Sequence, residues 1–160
     1  SVVLDLMIHD LDIVLKLAGS EVTSVDAVGV PVFSTEEDIA NVRIRFASGC
    51  VANLTSSRIS VERMRKIRIF DPNAYVSTDY SAQEVLVYSK KAGAIPPDSN
   101  PMENIVITPL PVRKEEPLKL ELEAFVSSIE TGSAPQVSGE DGLRALQLAW
   151  RIIDAMRGQQ

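Results

Sequence analysis

Residues 38–57 read DIANVRIRFASGCVANLTSS. From Asp38 to Phe46, and again from Cys50 to Ser57, apolar and polar side chains alternate and β-branched residues are frequent, so each half reads as a strand with one buried face. Ala47, Ser48 and Gly49 supply turn chemistry between them, which makes the pair an antiparallel hairpin. Upstream, Val22 to Gly29 has the same period. Downstream, Arg65 to Phe70, Tyr75 to Asp79, Glu84 to Tyr88 and Asn104 to Leu110 continue it, with Asp71, Pro72 and Asn73 forming a type I turn signal. About seven strands, mostly antiparallel, are predicted.

Helical spacing brackets this strand-rich middle. Leu4, Met7, Ile8, Leu11, Val14, Leu15 and Ala18 recur at the helical repeat before Gly19, which predicts a helix over about 3–18. A second helix opens at Pro117, with Leu118, Leu122, Phe125, Val126 and Ile129 on one face and Gly132 beyond its end. A third begins near Ser138, where Asp141 completes a capping-box pattern; Leu143, Leu146, Trp150 and Ile153 form its predicted buried stripe. Lys90 to Pro101 has no periodicity and reads as a loop. The fold class is α+β, a large, mostly antiparallel open sheet with helices on one face, in a single domain spanning 1–160. The other face, with Ile39, Asn41, Val51, Asn53 and Thr55, is available for oligomerisation, because large bare sheets invite association.

Composition narrows the function. A 160-residue chain can bury roughly 68–70% of its unfolded surface around one core. Its net charge is 16 − 22 = −6 with the charges interspersed, which argues against nucleic acid or an anionic membrane as partner. No apolar run reaches the ~20 residues of a bilayer span. The single cysteine, Cys50, excludes an internal disulfide framework and fits a reducing cytoplasm. Neither G-x-G-x-x-G nor a P-loop motif occurs, so no phosphate cradle is expected here. Ser1 and Val2 lead straight into the first helix, as in a piece of a longer protein.

That first helix carries the chemistry. Asp5, His9, Asp12 and Lys16 fall within an arc of about 60°. Apolar residues flank the stripe on both sides, Leu4, Met7, Ile8, Leu11 and Leu15 on one and Leu6, Ile13 and Leu17 on the other. A narrow titratable ribbon on a greasy helix suits a cleft wall. Asp5 and His9, one turn apart, could act together: imidazole exchanges protons near neutral pH, and a carboxylate one turn away can orient it. The bland reading is a solvated stripe with a satisfied histidine. A zinc site is disfavoured, because catalytic zinc recruits at least two histidine or cysteine ligands and the chain has one histidine. Asp12 and Lys16 have the order of a simple surface pair. Cys50 and Trp150 read as core.

The stretch DLMIHDLDIVLKLAG (5–19) resembles the first helix of the C-terminal domain in the Gfo/Idh/MocA (glucose-fructose oxidoreductase / inositol dehydrogenase) family, whose pattern is D-x-x-x-H-x-x-D. The likeness continues through ANVRIRFASGCVANLTSSRIS (40–60), MRKIRIF (64–70) and PLKLELEAFVSSIETGSAPQVSGEDGLRALQLAWRIIDA (117–155). It implies a preceding Rossmann domain, absent from this chain, that binds NAD or NADP and contributes a catalytic lysine. It implies His9 as the group exchanging the hydroxyl proton and Asp5 as the acid beside the reacting carbon. Asp12 matches the motif's last acid, with a structural role and a place in the substrate-binding set. The implied partners are a sugar-type substrate and identical subunits, as a dimer or tetramer through the open sheet. VVLDLMIHDLDIVL and VDAVGVP resemble the branch acting on the 3-hydroxyl of UDP-N-acetylglucosamine. Among the basic residues Arg58, Arg63, Arg65, Lys66 and Arg68, Arg58 ends a strand and is the preferred substrate contact. The alternative function, from another class, is a non-catalytic ligand-binding or dimerisation scaffold.

Overall fold

The computed structural model describes residues 1–61, 64–91 and 100–158. Two compact units emerge, one of residues 1–61 and 124–160, the other of residues 62–123.

In the first unit, β1 (Val22–Val30), β2 (Ile39–Phe46) and β3 (Val51–Ser57) pair antiparallel in the order β1-β2-β3. Alternation along β2 is strict: Ala40, Val42, Ile44 and Phe46 are buried, and Asn41, Arg43 and Arg45 are exposed. Register carries the pattern across the sheet, with Ala27 and Leu54 both opposite Val42. The opposite face presents Asn41, Val51, Asn53 and Thr55 to solvent, where the alternation predicts them.

Two helices cover the inner face. The first begins with a π-helical turn, Val3–Met7, and continues as α1 (Ile8–Ala18), closed by Gly19 in the left-handed region at φ 53°. Val2, Val3, Met7 and Leu11 are fully buried. Its other flank is not: Leu6 and Leu17 are exposed, whereas the sequence pattern favours burial of both sides. α2 (Pro117–Thr131) has the expected apolar stripe, yet none of its residues is buried. α3 (Gly139–Arg157) starts at the predicted capping box, where Ser138 Oγ accepts from Asp141 N–H at 3.2 Å and Ser138 N–H donates to the Asp141 carboxylate at 2.8 Å.

The buried stripe of α3 is a correction. Leu143, Leu146 and Trp150 are exposed, and of the predicted set Ile153 alone is inside. The face turned inward is Ala145, Leu148, Ala149, Ile152, Ile153 and Met156. Both faces have helical periodicity, and the sheet takes the one whose alanines let the helix axis come close. Cys50 is likewise exposed, at the hairpin end.

In the second unit, β4 (Lys66–Phe70), β5 (Ala74–Asp79), β6 (Glu84–Lys90) and β7 (Ile105–Leu110) form an antiparallel sheet in chain order. The α+β class is as expected, and among the described residues the strands are antiparallel and gathered into ladders of three and four. The turn after β4 is held by Asp71, whose carboxylate accepts from Asn73 N–H at 3.0 Å. Phe70, Tyr75 and Tyr88 stack across three strands, with centroids 4.7 and 4.8 Å apart. None of the described residues in this unit is buried. Residues 92–99, most of the predicted loop, lie outside the described residues.

Gly29 of β1 is closely packed against its neighbours. A Cβ there would lie 2.5 Å from both Glu37 Cγ and Met156 Sδ, whereas at Gly142 a Cβ meets nothing within 4 Å. Gly29→Ala is therefore expected to destabilise by about 1–3 kcal/mol through overpacking, and Gly142→Ala, inside α3, to stabilise by about 0.5–1 kcal/mol. Chemical denaturation of the two variants checks both signs.

Candidate functional site

The D-x-x-x-H-x-x-D ribbon straddles the change from π to α geometry. Asp5 lies in the π-helical turn, which carries one more residue per hydrogen-bonded loop than the α-helix and is a recurrent feature of functional sites; His9 and Asp12 lie in α1. Asp5 and His9 are exposed and Asp12 is half-buried. Asp5 does not turn to His9. Its carboxylate faces Arg58, with Nε 3.7 Å from Oδ2 and side chains 33% and 60% exposed for Arg58 and Asp5. The structure thus joins two residues that the sequence nominates separately, one from the lead helix and one from just beyond β3.

Asp12 and Lys16 occupy a different setting. They line a cleft of about 700 Å³ together with Asp141, Arg144 and Arg151 of α3, and Asp5 and His9 lie outside its lining. Lys16 Nζ donates to the Gln136 carbonyl at 3.4 Å, and among the described residues no ion pair joins it to Asp12. The expected surface pair is replaced because a backbone carbonyl, which costs no ordering of a second side chain, lies within reach. Arg144 pairs with Asp141, whose carboxyl is held below the usual carboxylate range, chiefly by the Ser138 N–H.

Two of the remaining basic residues have partners within the second unit. Lys66 is engaged by Asp79 at 3.1 Å, and the Arg65 guanidinium lies 5.9 Å from the centroid of the Tyr80 ring. Arg63 lies outside the described residues. No three histidine, cysteine or acidic side chains among the described residues could hold a metal ion.

Sequence reasoning missed two buried acids, Glu37 and Asp38, the second of which accepts Arg58 N–H on its backbone carbonyl at 3.0 Å. Asp38 is buried at 3% exposure, and its Oδ2 accepts from Val32, Phe33 and Ser34 N–H at 2.8–2.9 Å. These donors, Phe33 foremost, hold its carboxyl far below the usual carboxylate range. Glu37 is also buried, at 8% exposure. Burial pushes its carboxyl up, while its own N–H, the Ser1 hydroxyl and the Arg157 guanidinium act to lower it. The one available signal was Asp38 four residues after Ser34 at a strand entrance, a spacing shared by many solvated loops.

The first unit is an antiparallel sheet backed by helices, and its lead helix exposes an acid–imidazole ribbon. A family model described as the GFO/IDH/MocA C-terminal domain matches residues 1–76, and the chain belongs to that family. It is 34% identical over 151 residues to UDP-N-acetylglucosamine 3-dehydrogenase of Acidithiobacillus ferrooxidans, covering 94% of this chain and 47% of that protein. It is 29% identical over 154 residues to myo-inositol 2-dehydrogenase of Thermotoga maritima, covering 92% and 44%. A crystal structure of the Acidithiobacillus enzyme superposes with a TM-score of 0.87 at 32% identity, over 98% of this chain and 49% of that one. The chain spans about half the length of these relatives. Among the described residues no helix is long and apolar enough to cross a membrane.

The depressed Asp38 carboxyl carries a pH signature. A folded value below the unfolded one stabilises the fold above the unfolded value, and that contribution fades as pH falls toward the folded value. Asp38→Asn is expected to lower the melting temperature at neutral pH, with the gap to wild type narrowing below the ordinary carboxylate range. Melting curves between neutral and strongly acidic pH test this; a gap that stays constant into strong acid contradicts it.

Proposed function

We propose that this chain is the substrate-binding and assembly half of a nicotinamide-dependent oxidoreductase that acts on a hydroxyl of a sugar, nucleotide sugar or polyol. A dinucleotide-binding domain, preceding it in the whole protein, would hold NAD or NADP. The observation that carries the reading is the exposed ribbon of Asp5 and His9, with Arg58 paired to Asp5 at 3.7 Å, in the family motif.

The chemistry runs through this chain's own groups. Oxidation of a secondary alcohol removes a hydride from carbon and a proton from oxygen, leaving a carbonyl. A bound nicotinamide supplies the hydride acceptor. The fit of this chain is to the substrate side: it has no glycine-rich phosphate turn, and its ribbon offers a proton acceptor and hydroxyl-binding groups. His9 takes the hydroxyl proton as the carbonyl forms and returns it in the reverse direction. Asp5 accepts a hydrogen bond from a substrate hydroxyl, and Arg58 steadies Asp5 while presenting its remaining donors to substrate oxygens. Asp12 stands one turn beyond, on the cleft wall. The identity to UDP-N-acetylglucosamine 3-dehydrogenase over 94% of the chain makes that nucleotide sugar the first substrate to test. The exposed apolar flank, with Leu6 at 41% and Leu17 at 59% exposure, supports a covering neighbour. A reducing cytoplasm is the working compartment.

We assign self-association to the outer face of the three-stranded sheet. Val28 and Val30 are exposed there. Its polar row is partly paired internally, Thr55 Oγ1 donating to Asn41 Oδ1 at 2.8 Å and Arg43 Nη1 to Asn53 Oδ1 at 3.1 Å, which lowers the cost of covering the face.

In the full-length protein, His9→Asn is expected to lower kcat by about 10²–10⁴-fold, followed by nicotinamide absorbance with UDP-N-acetylglucosamine; undiminished turnover removes His9 from the mechanism. Val51→Glu on the outer face is expected to shift sedimentation from oligomer toward monomer, and a monomeric wild type refutes the assembly role.

A further inference from the structure

The chain buries few polar side chains. Among the described residues they are Glu37, Asp38 and Ser56, and the first two are adjacent acids. Burying a carboxylate is costly unless its oxygens are met by donors. Asp38 is lavishly met: three loop N–H groups reach Oδ2, and Ser34 Oγ donates to Oδ1 at 2.9 Å. Glu37 packs its aliphatic stem over Gly29, while its Oε2 has no hydrogen-bond partner among the described residues. Closing a surface loop does not require so much.

The main chain at these two positions shows what is being held. The Glu37 carbonyl accepts from Val2 N–H at 2.9 Å, at the head of the π-helical turn and three residues before Asp5. The Asp38 carbonyl accepts from Arg58 N–H at 3.0 Å, and Asp38 N–H donates to the Val30 carbonyl at 3.0 Å. Two successive carbonyls therefore anchor the two separate segments whose side chains meet as Asp5 and Arg58.

We propose that the Glu37–Asp38 dipeptide is the positioning element of the substrate site, setting the Asp5 segment and the Arg58 segment at ion-pair distance. Asp38 acts through its side chain, which freezes the 32–34 loop and so the direction of its own carbonyl. Glu37 acts through its buried stem, which fixes the carbonyl that receives Val2. Neither touches substrate; both act through the pair. The role in catalysis rests on the substrate-site reading given above for Asp5 and Arg58.

The test is a double-mutant cycle in the full-length protein, with UDP-N-acetylglucosamine and nicotinamide absorbance as readout. Asp38→Ala is expected to raise KM by at least about tenfold, the scale on which a misplaced group is felt, with kcat changed much less. Combined with Arg58→Ala it should be little worse than Arg58→Ala alone, because groups acting through one contact are not additive. Independent, multiplying losses, or an unchanged KM, overturn the proposal. Should Asp38→Ala not fold, Ser34→Ala removes one of the four side-chain contacts and should move KM in the same direction. Absence of wild-type turnover sinks the substrate reading instead. Amide exchange then decides the positioning role by itself: Val2 and Arg58 should exchange at least about tenfold faster in Asp38→Ala or Ser34→Ala, as local opening lowers their protection, and unchanged exchange rejects it.

Discussion

Strict alternation along β2 is the constraint on which the first unit depends. Ala40, Val42, Ile44 and Phe46 can leave water only on one side of the sheet, so the helices must gather there. A slip of one residue would put Arg43 and Arg45 inside, which burial of unpaired charge forbids. With the inner face chosen, Met7 and Leu11 bring the lead helix down on it and leave Asp5, His9 and Lys16 exposed. The candidate site is thus the residue of a packing decision made on the opposite side of the same helix.

The second unit is held differently. Its sheet owes its order to backbone ladders, the Phe70, Tyr75 and Tyr88 stack and turn-capping by Asp71 and Asp79, since none of its described residues is buried. Ladder hydrogen bonds contribute modestly once exchanged against water, and a sheet without a core is marginal alone. Apolar strand residues such as Ile69 and Val106, left partly exposed, are surface of the kind that becomes stabilising when a neighbour covers it.

Polarity in the candidate site is arranged in two tiers. Arg58 and Asp5 are partly solvated, so their attraction contributes little to stability and stays free to be spent on a ligand. Behind them, Glu37 and Asp38 are buried, and hydrogen bonds hold the Asp38 carboxylate in place. A soft front supported by a rigid back is what binding groups need, because positions can be kept while contacts are exchanged.

Local chemistry was legible from the chain itself. The β2–β3 hairpin, the Gly19 stop, the Asp71 turn and the Ser138–Asp141 capping box each depend on neighbours a few residues apart, and each stands where pattern and spacing put it. The D-x-x-x-H-x-x-D ribbon was equally visible. Other choices lie between far segments. α3 carries two apolar faces, and only contact with the sheet selected Ala145 and Ala149 over Leu143 and Trp150. Asp5 found Arg58, 53 positions away (58 − 5), because Glu37 and Asp38 tie both segments to one spot. Periodicity can say that a side chain points away from a core, but which distant group awaits it is set by how elements pack, and that depends on volumes and hydrogen bonds no single segment contains.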